Sequence, residues 1–277
     1  MMNAEEGHLR GREAAPRRGG VLVLAAHPDD ETIGAGALLY RLHGAVVVHL
    51  TDGAPRDPRF RPDGLEVDAY ARARRRELGA ALAAAGLGEK SALGMGVADQ
   101  EATQAIADLA RSLASVLGAI HPALVVTHPY EGGHPDHDAA AVVARAAIAL
   151  ARRERIAVPR LVEMTSYHAS GGALVTGRFL DAPLAKQVAR VLSPAELDVK
   201  RAMLACFETQ QPVLEPFLAD LAVERFRPAP RIDVSRPPHE GPLWYERLGF
   251  ALSGERWRAL ARRAIEALGL TREFAPA

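Results

Sequence analysis

The chain has one cysteine, Cys206, in 277 residues. That excludes an intrachain disulfide and any thiolate-cluster metal site, so a transition metal here must be held by histidines and carboxylates. Net charge is missing too, because 34 Lys and Arg balance 34 Asp and Glu. No overall field draws the chain to nucleic acid or to an acidic membrane, and a small neutral or mixed partner is the simpler expectation. No apolar run reaches the roughly 18 residues that suggest a membrane span. The first twenty residues hold arginines and glycines but no apolar h-region, so they do not read as a secretory signal. Residues 1–18 are expected to form a flexible arm on a cytoplasmic protein. Apolar residues are plentiful, at 48%, which is ample for a packed core. No linker, low-complexity tract or internal repeat divides the chain, so one domain is expected over residues 19–270.

The most informative stretch is Val21 to Glu31, "VLVLAAHPDDE". Six apolar residues rich in Val and Leu read as a strand buried on both faces, and the strand stops at His27-Pro28-Asp29-Asp30-Glu31. "TIGAGALLYRLHG" then has helical spacing, which puts the acidic pair at a strand-to-helix turn, the usual ligand position in α/β sheets. Ala45 to Leu50 reads as a second buried strand ending in the turn Thr51-Asp52-Gly53, and Glu66 to Gly86 as a long helix. A short strand at Ser91 to Met95 and a helix from about Glu101 to Leu117 follow. Ala123 to Thr127, a loop carrying "HPYEGGHPDHD" and an Ala-rich helix from near Asp136 then repeat the opening arrangement. Weaker strands are expected at Leu161 to Tyr167, Ala173 to Leu180 and Lys186 to Val191. Ser193-Pro194 opens a helix to about Thr209. Residues 210–270 are expected to be an irregular extension closed by a helix from about Gly254. The fold class is α/β with a mostly parallel sheet.

His27 and Asp30 lie three apart around a turn and can converge on one ion, which leaves Asp29 pointing elsewhere. A carboxylate beside a metal-activated water is placed to accept its proton. His134 and His137, also three apart, can divide the tasks of binding metal and facing substrate. Taken alone, Asp29 and Asp30 could simply cap a helix, and "GGHPDHD" could be a polar surface loop with Asp136 or Asp138 as its cap. The pairing of two such strand ends favours a site.

"AHPDDE" (Ala26 to Glu31) and "HPDHD" (His134 to Asp138) resemble, in order and spacing, the PIG-L or LmbE-like zinc-dependent N-acetylglucosaminyl deacetylases. A weaker likeness extends over roughly Val21 to Gln211, through Thr51 to Gly53, Arg74 to Ala81, Gly96 to Ala102 and Lys200 to Gln210. The resemblance implies a Rossmann-like three-layer fold and hydrolysis of the acetamide of an N-acetylated amino sugar. It implies zinc, with iron(II) as the alternative, on His27, Asp30 and His137, and Asp29 as general base. It also implies His134 as a protonated stabiliser or acid, oriented by Asp136. Arg74, Asp99 and Tyr130 are the candidate sugar contacts. The alternatives are an amidase acting on a thiol conjugate or other acylated amine, and a metal-binding protein without turnover.

The remaining histidines (His43, His49, His121, His168 and His239) lack a partner at ligand spacing and are expected to be structural or exposed. His128 ends the strand that leads to the second motif and stays open as a site residue. Gly34 and Gly36 form a G-x-G, but Leu39 breaks the dinucleotide fingerprint. Cys206 is expected in the core, and the Arg72, Arg74, Arg75 and Arg76 run on a solvated helix face.

Overall fold

The structure is a computed structural model that describes residues 19–180 and 187–274. The expected N-terminal arm and Lys186 lie outside these residues. The sheet grows in both directions from β1 (Val21–Ala25). On one side lie β2 (Val46–Thr51) and β3 (Ala92–Val97), on the other β4 (Leu124–Thr127) and β5 (Arg160–Met164), all parallel. Beyond β5 come two antiparallel strands, β9 (Val223–Pro228) and then β8 (Val188–Val191), giving the order β3-β2-β1-β4-β5-β9-β8. A separate hairpin joins β6 (Tyr167–Ser170) to β7 (Ala173–Thr176).

Alternation along the strands makes three layers. Leu22 and Leu24 face a core shared with α3 (Ile106–Ile120), α4 (Pro135–Arg153) and α8 (Gly254–Ala267). Val23 and Val47 face the opposite core, built with α1 (Asp30–Arg41), α2 (Val67–Ala84) and α5 (Pro194–Ala205). The fold class expected from sequence is therefore observed. No helix of the described residues is long and apolar enough to cross a membrane.

Several elements differ from expectation, among them the strand expected to reach Leu180, which stops at Thr176, and the helix expected to reach about Thr209, which stops at Ala205. The helix expected from Glu101 starts as a 3₁₀ turn, Ala102–Ala105, before α3 begins. The strand expected to run to Tyr167 stops at Met164, and Tyr167 opens the hairpin. The extension after residue 210 is not irregular throughout, because it contributes β9 to the sheet as well as the one-turn helices α6 (Gln211–Leu214) and α7 (Trp244–Arg247). "VERFRP" hides as a core strand because two of its buried residues are charged, each with a partner. Arg227 donates to Glu163 at 2.7 Å and to Glu131 at 2.9 Å, and Glu224 pairs with Lys200 at 3.1 Å. Cys206 also departs from expectation. It is the half-buried C-cap of α5, with Sγ 3.2 Å from the Ala202 carbonyl.

Glu224 has a further task. Helix α1 breaks at Ala35, where φ is −146°, and the freed N–H groups of Ala37 and Leu38 donate to the Glu224 carboxylate at 2.7 and 3.2 Å. One buried carboxylate thus ties β9 to α1, the helix that begins at Asp30. Lys200→Met, which strands this charge, is expected to destabilise the fold by about 3–5 kcal/mol in urea unfolding. The double variant Lys200→Met/Glu224→Gln should recover part of that loss.

Candidate metal-dependent active site

Connections from β1 run outward through β2 while β4 leads the other way, so a crevice opens where the C-terminal ends of β1 and β4 lie side by side. Both motifs enter it. His27 to Asp30 follow β1 directly, and His128 and His134 to Asp138 follow β4.

The turn after β1 separates the two aspartates. Asp29 has φ 134° and ψ −30°, a strained conformation for a residue with a Cβ. Although it occupies the N-cap position of α1, its side chain makes no capping hydrogen bond. The turn holds because the Asp29 N–H donates to Glu31 at 3.0 Å, and Glu31 is paired in turn with His49 at 2.9 Å. Asp29 points instead to Arg74, whose Nη2 lies 3.0 Å from Oδ2 and also donates to the Pro28 carbonyl. Burial pushes Asp29 up to about 7, with Arg74 opposing the shift and Asp30 adding to it.

Asp30 faces the other way, into imidazoles. Its Oδ2 accepts the His27 backbone N–H at 2.8 Å and lies 3.1 Å from His27 Nδ1 and 3.4 Å from His128 Nε2. Its Oδ1 lies 3.1 Å from His137 Nε2. His128 stacks on His137 at 4.0 Å, and Ser166 Oγ sits 3.0 Å from His137 Nδ1. The other nitrogen of His27, Nε2, faces Asp99 at 3.0 Å and Asp136 at 3.3 Å.

Among the described residues, three overlapping groups bring ligand atoms within 4.8 Å of one another: His27, His134 and His137; His27, Asp99, His134 and Asp136; and Asp30, His128 and His137. The trio expected from sequence (His27, Asp30 and His137) spans the first and third, with Asp30 touching both histidines. Asp99 Oδ1 is buried without a hydrogen bond although it points at His27 and His134, an orphan acceptor that a nearby cation would satisfy. Charge states agree. Burial opposes ionisation of Asp30, but His137 and His128 outweigh it and hold the carboxyl well below its usual range. Burial brings His137 down to about 4 and His134 well below its ordinary value. His27 is held protonated against burial by Asp99, Asp136 and Asp30, a proton that a bound cation would replace. The donor set fits a divalent ion of the zinc or iron(II) type.

His134 is the N-cap of α4, and its Nδ1 accepts the Asp136 N–H at 3.2 Å. The neutral ring therefore carries its proton on Nε2, on the cleft side. Burial and this bond favour the neutral ring, and it is the Asp136 backbone N–H, not its carboxylate, that faces Nδ1. That carboxylate accepts the N–H groups of Gln100 and Ala102 at 2.6 and 3.1 Å and backs His27 instead. Nor does Asp138 cap α4, since it accepts the N–H groups of Glu131 and Gly132.

A cleft of about 590 Å³ covers the cluster and is lined by His27, Asp29, Asp30, Asp99, His134 and His137, with Arg74 beside them. Tyr130 does not reach it. Its ring stacks on Trp257 at 5.3 Å and its hydroxyl donates to the Arg236 carbonyl at 2.9 Å. The tyrosine in the cleft is Tyr167, whose ring lies 5.1 Å from that of His137. It is brought close because Gly133 has no side chain: a Cβ there would sit 2.0 Å from the Tyr167 carbonyl oxygen. His49 and His168 lie outside the cleft, buried against Glu31 and Glu131.

Residues 22–148 match the family model described as PIG-L: GlcNAc-PI de-N-acetylase. Over this stretch, the PIG-L segment, the chain is similar to that family. Both histidine-bearing strand ends fall inside it, while the hairpin, α5, β9 and the C-terminal helices follow it. The zinc-inhibited form of the teicoplanin deacetylase Orf2 is a similar solved structure, with TM-score 0.54 and 18% identity over 75% of this chain and 97% of that one. The N,N'-diacetylchitobiose deacetylase of Pyrococcus horikoshii has TM-score 0.50 and 20% identity, covering 73% of this chain and 75% of that one. GalB, the 4-carboxy-2-hydroxymuconate hydratase of Pseudomonas putida KT2440, has TM-score 0.53 and 20% identity over 73% and 83%. These likenesses establish the fold, and a hydratase among them means that the fold does not choose the reaction. No curated protein sequence matches the chain.

Sequence reading within the PIG-L segment missed the support given by Glu31, His49 and Gly53. Gly53 has φ +65°, and a Cβ there would lie 2.8 Å from Arg74 Nε and 2.9 Å from Pro28. Gly53→Ala is expected to displace the guanidinium from Asp29 and to cost about 1–2 kcal/mol in backbone strain. Thermal unfolding and titration with zinc would check this, with a lowered Tm and metal binding retained.

Proposed function

We propose that this protein is a zinc-dependent N-deacetylase that hydrolyses the acetamide of an N-acetylated amino sugar, with N-acetylglucosamine glycosides as the reference substrates. The observation that carries the reading is the split between the adjacent aspartates. Asp30 lies among three imidazoles, while Asp29, buried and shifted up to about 7, faces the same cleft on Arg74. A site that merely held a metal would need neither a second carboxylate turned away from the ligand set nor a cleft of this size. That favours turnover over a non-catalytic metal-binding role.

His27, Asp30 and His137 would hold the ion, which when bound would polarise the amide carbonyl and lower the pKa of water to roughly 7. Asp29 accepts the proton of the attacking water, a role in which a placed base contributes about 10² to 10⁴ in rate. Arg74 fixes its direction and keeps the carboxylate form accessible near neutrality. His134 donates from Nε2 to the carbonyl oxygen as that atom gains negative charge, and losing such a donor costs about 10² to 10³ in turnover. Asp29 then returns its proton to the leaving amine. Asp99 and Arg74, both on the cleft wall, are placed to accept from and donate to sugar hydroxyls. The same steps apply to the amide of a thiol conjugate, so substrate choice falls to the rest of the cleft.

The wild-type protein is expected to bind about one zinc ion and to release acetate from N-acetylglucosamine glycosides. Asp29→Asn should lose at least about 10²-fold in turnover with its metal content unchanged. The His27→Ala/His137→Ala protein should lose the metal. Undiminished acetate release by Asp29→Asn would remove the base from the scheme, and full metal occupancy in the double variant would remove the site.

Two further measurements bear on the same reading. Activity should rise with pH along an acid limb at or below about 7, because Asp29 works as the carboxylate, burial raises it to about 7, and a cation beside it opposes that rise. Ser166→Ala, which frees His137 Nδ1, should weaken zinc binding roughly 10- to 100-fold in competition with a chromogenic chelator.

A further inference from the structure

The cleft has a polar floor and an apolar wall, and most of the wall comes from residues after 148. Leu174 of β7, Val213 and Phe217 near α6, and Trp244, Leu248 and Phe250 in and after α7 line it together. Two aromatic ladders join this wall to the histidines. Phe250 meets the His134 ring at 5.0 Å and Phe60 edge-on at 4.9 Å. On the other side Tyr167 meets His137 at 5.1 Å and Phe217 at 5.6 Å. Apolar surface therefore begins beside the reacting groups and runs outward to the mouth. There Val213 and Leu248 are 59% and 39% exposed, large aliphatic side chains kept in water at the rim. Arg59 and Arg61, which also line the cleft, are each engaged within the chain. Arg59 is held by Asp57 at 2.6 Å, and Arg61 donates to the backbone carbonyls of Pro55, Arg56 and Leu65.

We infer that the substrate of this site carries an alkyl or aryl group close to its acylated nitrogen, and that this group lies on the Phe217, Trp244 and Phe250 wall. The inference rests on the deacetylase reading and deepens it by naming the substrate class. The apolar group can sit on the amine side, as an aglycone, or on the acyl side, as a longer chain, and the chemistry of the wall is the same for both.

The test compares methyl with hexyl N-acetylglucosaminide for the amine side, and N-acetyl- with N-hexanoyl-glucosamine for the acyl side. Binding to the zinc-loaded protein is measured by calorimetry, and hydrolysis is measured separately. Each buried methylene is worth about fourfold in affinity, so a half-buried hexyl chain should bind roughly 10- to 100-fold tighter than its short partner in at least one pair. Val213→Glu and Leu248→Glu change exposed rim residues and are checked for folding by circular dichroism. Each should cut the hexyl-to-methyl ratio of the preferred pair at least about threefold. Equal affinities within both pairs, or ratios unmoved by both rim variants, overturn the inference. Hexyl preference in binding without hydrolysis would keep the apolar subsite and sink the deacetylase reading. Hydrolysis with no preference would do the reverse.

Discussion

Everything around the cleft depends on the Asp30 carboxylate. It is the first residue of α1, where a negative charge is favoured by the helix dipole, and its oxygens meet three imidazoles and one backbone N–H. An ionised carboxylate in so dry a place would be costly without these partners. They are supplied by two loops that share nothing but the adjacency of β1 and β4. The pairing of Leu24 with Thr127 near the ends of those strands is therefore part of the site. A slip in that register would move His128 and His137 off the carboxylate.

Asp29 shows the complementary constraint. Two neighbouring carboxylates in one cavity repel, and the backbone avoids that by turning Asp29 through a positive φ so that its side chain leaves the cluster. The strain is held by local bonds: Glu31 on its N–H, Arg74 on its carboxylate and on Pro28, and the bare Cα of Gly53 beneath the guanidinium. Sequence spacing alone suggests that His27 and Asp30 converge. It says nothing of how the residue between them is pushed aside, because Glu31 and Gly53 look like an ordinary acidic residue and an ordinary turn.

Legibility in the sequence follows the same physics. The parallel strands β1, β2 and β4 are buried on both faces, so they appear as unbroken apolar runs, and the motifs at their ends stand out as polarity where a core strand stops. Strand β9 was not legible, since its core positions are charged and become comprehensible once Glu224 meets Lys200 and Arg227 meets Glu131 and Glu163. Tyr130 and the Asp136 carboxylate meet partners that their spacing does not indicate. The spacing that brings them near the site does not fix side-chain direction, which Trp257 and the Gln100 and Ala102 N–H groups decide. Tyr167 gave no signal, because its approach depends on Gly133, 34 positions earlier.

The division of labour along the chain explains why the PIG-L segment is insufficient to describe the site. That segment brings the histidines and aspartates together at the strand ends, where small displacements would be ruinous, and it does so with elements buried on both faces. The later residues form the hairpin, the α6 region and the turn around α7, which pack as short elements at the mouth and contribute mostly apolar side chains to it. Short surface elements tolerate change in ways that a central strand cannot. On the proposed reading, chemistry falls to the crevice and substrate choice to the wall, with Phe250 and Tyr167 as the points where the two parts touch.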